Sequence, residues 1–172
     1  MFAFNTMGLE SSLLMMVGHG IVSPGLFFCI GLLYDRYKTR VVYYYGGLAQ
    51  TMPLFSTALL ILTMANISLP ALSPTFAAEF LIFMSVFSVN KLVALLASFT
   101  MVLTGAYALF LYVRLCFGQL KIVYMPKQCD LNRREFAALM PIVTLSLLVG
   151  LCPNLILDTS HASLACILLC HK

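Results

Sequence analysis

Residues 66–75 read Asn66-Ile67-Ser68-Leu69-Pro70-Ala71-Leu72-Ser73-Pro74-Thr75. They interrupt an apolar run, Pro53–Ser88, that is 36 residues long and holds one charge, Glu79. As one straight helix at about 1.5 Å per residue the run would reach about 54 Å, well beyond the roughly 30 Å of a bilayer's hydrocarbon core. Pro70 and Pro74 each remove a backbone donor and clash with the preceding turn. The spacing therefore predicts a helix that stops near Leu69 and restarts with Ser73 as N-cap and Pro74 at the first helical position. Taken alone, the stretch is either two complete membrane spans or the two halves of one broken span.

The charges around it arbitrate. Of 172 residues, 62% are hydrophobic and 9% charged, with a mean hydropathy of +0.99. A soluble domain is nearer half apolar and a quarter charged, so a cytosolic enzyme, a secreted disulfide module and a disordered segment are excluded. Charge-free runs cover 11–34, 41–78, 92–113 and 136–157, each long enough to cross a bilayer. With two complete spans in the middle, the ten Lys and Arg divide five against five between the two faces. With one broken span, Arg36, Lys38, Arg40, Arg114, Lys121, Lys127, Arg133 and Arg134 share a face, and only Lys91 and Lys172 fall on the other. Basic loop residues accumulate on the cytoplasm-equivalent side of a membrane, and the broken-span reading satisfies that rule. The halves, 17 and 15 residues, are also short for complete spans.

The sequence thus predicts an all-α membrane protein forming a single membrane domain over 1–172. It has four crossings, at about 9–34, 53–89 (broken near 70–74), 91–114 and 136–157. Pro24 is expected to kink the first. Residues 41–52, with Tyr43-Tyr44-Tyr45, suit a headgroup belt. The loop 115–135 is polar and basic, and the tail 159–172 leaves the membrane on the other face. Met1–Leu9 lacks the basic n-region of a signal peptide, so insertion is expected to be driven by the spans.

Ionisable groups inside spans mark function by default. Glu79 lies just past the break, and broken helices at membrane depth are tolerated only inside protein or beside a wet cavity. Two readings stand side by side: a proton-exchanging carboxyl, or a protonated one that caps freed backbone. His19, within Gly18-His19-Gly20, is the second candidate, either a proton relay or a neutral ring bonded to a neighbouring carbonyl. The flanking glycines allow close backbone approach. Asn66, Ser68 and Thr75 can hydrogen-bond water or backbone around the break. Lys91 and Arg114 read as snorkelling anchors at span ends, and Tyr107 and Tyr112 as packing or belt residues. Asp158 and His161 form a solvated helix end. The six cysteines match no metal or redox spacing: Cys29 and Cys152 read as small apolar residues within spans, and Cys166 and Cys170 as an unsupported disulfide pair. No phosphate loop, haem motif or iron–sulfur pattern occurs, and no aromatic-interleaved basic face points to nucleic acid.

An ordered set of residues carries a family resemblance. It runs through His19-Gly20, Ser23, Leu26-Phe27, Gly31-Leu32-Leu33-Tyr34-Asp35-Arg36, Lys38-Thr39-Arg40 and Gly46-Gly47-Leu48. It continues with Ala65-Asn66, Ser68-Leu69-Pro70, Glu79-Phe80, Ala106-Tyr107, Leu111-Tyr112, Arg114 and Phe117-Gly118. It closes with Asp130-Leu131, Arg134-Glu135, Pro153, Leu157-Asp158 and His161. The chain resembles the C-terminal part of the subunit 4 family of NADH dehydrogenase, membrane-arm subunits of respiratory complex I.

The resemblance implies half of an antiporter-like inverted-repeat fold, with Glu79 and His19 in a line of protonatable residues. It implies proton translocation coupled to quinone reduction elsewhere, in a mitochondrial inner membrane, with the basic loops 35–40 and 114–134 on the matrix side. No cofactor is expected in this chain; NADH, FMN, iron–sulfur clusters and ubiquinone belong to other subunits. Ala78 and Ala71 depart from the family, which usually has glycine at both places. The first repeat is absent, so the chain is expected to be the C-terminal fragment of a split subunit. Its expected partners are a second polypeptide carrying the missing spans, neighbouring antiporter-like subunits, and lipid. Two rival readings are a cation/proton antiporter subunit outside complex I, and a membrane-arm scaffold that no longer conducts protons.

Overall fold

The computed structural model describes residues 5–70, 73–121, 124 and 129–170. Ala71, Leu72, Lys127 and Lys172 lie outside the described residues, as do the side chains of Cys166 and Cys170. The helices are α1 (Thr6–Tyr37), α2 (Leu48–Thr51), α3 (Pro53–Asn66), α4 (Pro74–Val89), α5 (Lys91–Cys116), α6 (Arg133–Leu151) and α7 (Asn154–Cys170). A 3-10 turn, Val42–Tyr44, joins α1 to α2. Among the described residues α1, α5 and α6 are long and apolar enough to cross a membrane, whereas α3 and α4 are shorter apolar helices.

The centre of the bundle is α1, which packs most extensively on α4 and also meets α3, α6 and α7. Its buried residues are Gly8, Ser11, Leu14, Gly18, Val22, Gly25, Cys29, Leu32 and Leu33. They recur every three or four positions and so form one stripe down the helix. Most of them are small. Lipid offers no hydrophobic drive between helices, so association rests on close packing that small residues permit. Gly18 illustrates the point: a Cβ there would stand 3.0 Å from the Thr75 methyl and 3.3 Å from Pro74. Gly20 has open space around it, so of the two glycines flanking His19 only Gly18 serves a close approach. Pro24 sits within α1 without interrupting it.

One end of the bundle is fastened by charge. Arg36, in the last turn of α1, donates to Glu135 Oε2 at 2.5 Å and to the Asp130 carbonyl at 3.2 Å. Glu135 also accepts from the Asn132 amide at 2.9 Å, closing a capping box at the start of α6. The Asp130 carboxylate accepts from the amides of Leu54 (3.0 Å) and Phe55 (3.2 Å), and so caps α3 from a distant part of the chain. The Gly47 amide donates to the Phe117 carbonyl at 3.2 Å, and the Lys121 ammonium donates to the Tyr43 carbonyl. The Tyr45 hydroxyl donates to the Thr39 carbonyl at 2.6 Å. Burial, and then Tyr37 nearby, push that phenol above its ordinary range, so it remains a neutral donor. The main apolar core, including Cys29, Leu32, Phe55, Leu59, Tyr112 and Leu139, lies just inside this end.

At the opposite end, Asn5 donates to the Ser88 hydroxyl at 3.3 Å, and Glu10 of α1 pairs with His161 of α7. His161 is therefore tied to α1 rather than simply solvated. The expected final span over 136–157 is divided: α6 ends at Leu151 and α7 begins at Asn154. The cause is Pro153, which disfavours helical backbone in the residue before it; Cys152 has φ −125° and ψ 67°. Cys152 is exposed at that turn, whereas Cys29 is buried as expected. The tail expected over 159–172 lies mostly within the helix α7, which packs against α1.

Two expectations follow. Asp130→Ala removes the cap of α3 and should cost about 1 kcal/mol of stability, seen as a lower melting temperature of the detergent-solubilised protein. Gly150→Ala should cost about 1–3 kcal/mol by overpacking, because a Cβ there would stand 3.0–3.2 Å from the Ser73 backbone. Unchanged melting in either variant contradicts the packing described.

Candidate functional site: the break between α3 and α4

The chain leaves the helical path after Asn66. Ile67 closes α3, its amide bonded to the carbonyls of Thr63 and Ala65, and Ser68 adopts a left-handed backbone with φ 64°. Its amide returns to the Ala65 carbonyl at 3.2 Å, and the Leu69 amide to Met64 at 3.3 Å. Helix α4 starts at Pro74. Ser73 is its N-cap, the hydroxyl accepting from the Phe76 amide at 3.2 Å. The Ser73 amide and hydroxyl both reach the Leu69 carbonyl, at 3.2 and 3.1 Å. Every freed group named here thus has a partner within the break.

Glu79 lies on the second turn of α4, half-buried. The Ser68 hydroxyl stands 2.6 Å from its Oε1. Ser68 Oγ is in turn 2.9 Å from Thr75 Oγ1, and Thr75 donates to the Ala65 carbonyl at 3.2 Å. Ser68 and Thr75 are both 5% exposed. The break therefore holds a short file of oxygens that begins at a carboxyl and ends at the last turn of α3. Sequence reasoning placed Ser68 and Thr75 near the break but did not join them to Glu79. Ser68 and Glu79 are eleven residues apart across non-helical backbone, where periodicity gives no register.

Glu79 opens on a cavity of about 250 Å³ lined by Met15, Asn66, Ile67, Ile82, Phe83, Ala97, Thr100, Met101 and Thr104. His19 lies elsewhere, exposed on α1, on a more apolar cavity of about 420 Å³ that includes Ser23, Thr63, Tyr107 and Tyr112. The two candidates are thus not brought into contact. Asn66 lines both cavities and is the one sequence-selected residue that touches each. Tyr112 is buried and its hydroxyl donates to the Ser56 carbonyl at 3.4 Å, a packing role. Lys91 lies over the Phe87 ring and Arg114 over Phe110, so both stems lie along apolar surface. Among the described residues no three His, Cys, Asp or Glu side chains gather as a metal site would need.

The family model for the NADH:quinone oxidoreductase/Mrp antiporter transmembrane region matches residues 1–104. NADH-ubiquinone oxidoreductase chain 4 of Marchantia polymorpha is 48% identical over 165 residues, 96% of this chain and 33% of that protein. Its counterpart in Chondrus crispus is 46% identical over 162 residues, 94% of this chain and 33% of that protein. A chain of respiratory complex I from Thermus thermophilus with bound NADH superposes with a TM-score of 0.83 at 28% identity. That match covers 97% of this chain and 35% of the other. The chain thus spans about a third of the length of the relatives it matches.

Ser73→Ala should loosen the first turn of α4. Loss of a cap of about 1–2 kcal/mol corresponds to a roughly five- to thirtyfold faster local opening, read as faster amide exchange at Phe76. Unchanged exchange there refutes the capping role.

Proposed function

The chain belongs to the NADH:quinone oxidoreductase/Mrp antiporter transmembrane family, and on that premise we propose that it carries protons in the membrane arm of an NADH:ubiquinone oxidoreductase. The observation that carries the reading is Glu79: a carboxyl at an interrupted helix, hydrogen-bonded to Ser68 at 2.6 Å and facing a cavity. A group so placed can take up and release a proton without unsatisfied backbone around it. His19, with Asn66 between the two cavities, supplies a second protonatable station on the same route.

We read α3 and α4 as the halves of one broken crossing among four. Two sets of contacts support this. Asp130 caps the start of α3 beside Arg36 and Glu135. The end of α4 meets the start of α1 through Asn5 and Ser88. The two helices therefore begin and end at opposite ends of α1. In that arrangement the loops 35–40 and 114–134 share a face, which we assign to the matrix side of a mitochondrial inner membrane. The relatives in Marchantia and Chondrus, named NADH-ubiquinone oxidoreductase chain 4, are eukaryotic, which supports the compartment.

The redox work, with NADH, FMN, iron–sulfur clusters and ubiquinone, we assign to other subunits; changes they induce would alter the proton affinity of Glu79. The partners in this proposal are a polypeptide carrying the remaining spans of the subunit, neighbouring antiporter-like subunits, and lipid against the exposed face of α5, where Leu92, Leu95, Phe99, Val102 and Phe110 are uncovered. The family's description also names Mrp antiporters; co-purification with NADH-oxidising subunits separates that reading from this one.

Glu79→Gln should lower proton pumping severalfold in membrane vesicles energised by NADH, with the assembly intact on native gels. Normal pumping in that variant removes Glu79 from the path.

A further inference from the structure

We propose that Ser68 and Thr75 form a reversible hydroxyl relay, which couples the proton on Glu79 to the hydrogen bond that joins α4 to the last turn of α3. The proposal rests on the reading that Glu79 exchanges a proton, and it concerns what that exchange does to the break.

The argument is a count of protons. Four oxygens stand in file: Glu79 Oε1, Ser68 Oγ, Thr75 Oγ1 and the Ala65 carbonyl, with gaps of 2.6, 2.9 and 3.2 Å. A carbonyl only accepts, an ionised carboxylate only accepts, and each hydroxyl brings one proton. With Glu79 ionised, two protons must serve three gaps. Ser68 gives its proton to the carboxylate, since a charge-assisted bond is about twice as strong as a neutral one. Thr75 is then divided between Ser68, whose oxygen is polarised by that bond, and the Ala65 carbonyl. With a proton on Oε1 the count becomes three for three. Glu79 donates to Ser68, Ser68 to Thr75, and Thr75 to Ala65. The change needs only rotation of two hydroxyls; no O–H bond in Ser68 or Thr75 breaks. Protonation thus commits the Thr75 proton to the Ala65 carbonyl across the break, and deprotonation leaves it shared between that carbonyl and Ser68.

The surroundings leave Glu79 in control of the file. No other titratable side chain lines its cavity among the described residues. On α1, Glu10 is held by His161, His19 lines the other cavity, and Asp35 and Arg36 lie at the far end, with Arg36 on Glu135. On α5, Lys91 lies over Phe87 and Arg114 over Phe110. On α6, Arg133, Arg134 and Glu135 are confined to the first turn. Ser68 is held in place by a left-handed backbone, φ 64°, and Thr75 by burial against Gly18.

The test is infrared pH-difference spectroscopy on native membranes carrying the full assembly, with alanine labelled by ¹³C at the carbonyl. The relay predicts a labelled-alanine band pair that titrates together with the carboxylic C=O band deleted by Glu79→Gln. Thr75→Val should keep the carboxyl band and lose the alanine pair, and Thr75→Ser should restore it. Ser68→Gly, which suits the left-handed backbone, should shift the carboxyl band and abolish the alanine pair. An alanine pair that survives Thr75→Val, one that does not track the carboxyl band, or no titrating Glu79 band at all overturns the relay. Normal pumping by Glu79→Gln alongside an intact relay signature would instead overturn the role of Glu79 in transport and leave the relay standing.

Discussion

The structure depends on one constraint: where the backbone leaves the helical path within an apolar bundle, it must satisfy its own freed groups. The break between α3 and α4 does so locally. Met64, Ala65 and Leu69 offer carbonyls, and Ser68, Leu69, Ser73 and Thr75 supply the donors. This arrangement fixes how close the neighbours must come. Gly18 of α1 lies against Pro74 and Thr75, and Gly150 of α6 lies against the Ser73 backbone. Two glycines on two different helices thus both approach the break closely. A larger residue at either position would push a helix away and open the hydrogen-bonded segment to lipid.

The two ends of the bundle are held by different means. At the basic end, charge-assisted bonds from Arg36, Asp130 and Glu135 tie α1, α3 and α6 together above an apolar core. Such bonds are stronger than neutral ones and tolerate the wet interface. Deeper in, contacts are made by small residues and hydroxyls, where double-mutant cycles in other membrane proteins average about 0.6 kcal/mol per hydrogen bond. The hydroxyl–hydroxyl and hydroxyl–carbonyl contacts of the break are thus individually weaker than the charge-assisted bonds at the basic end.

Much of this was legible in the sequence, and for identifiable reasons. Pro74 and Ser73 carry their structural meaning locally, so the start of α4 and its cap could be read from the ten residues 66–75, whereas α3 ends at Asn66, three residues before the stop expected near Leu69. The charge pattern likewise located the basic loops. What could not be read were pairings across the chain. Asp130 capping α3, Arg36 reaching Glu135, Glu10 meeting His161, and Ser68 reaching Glu79 depend on three-dimensional register that apolar periodicity does not encode. Near-uniform hydrophobicity also hid the end of α6. Cys152 and Pro153 divide a run that hydropathy treats as continuous, because the proline acts on backbone conformation and not on polarity.

The choice of hydroxyls at the break has a physical sense of its own. An amide such as Asn66 carries donors and acceptor at fixed ends, so it favours one direction of hydrogen bonding. A serine or threonine hydroxyl rotates and can turn from donor toward one neighbour to donor toward the other at little cost. Between a carboxyl, which accepts when ionised and can donate when protonated, and a carbonyl that can only accept, groups of the second kind can stay bonded in either state. Ser68 and Thr75 occupy that interval, while Asn66 stands where two cavities meet. A fixed dipole there can orient water on both sides without taking part in the reversal. The rotatable hydroxyls thus lie within the break, and the amide lies on the wall between the two cavities.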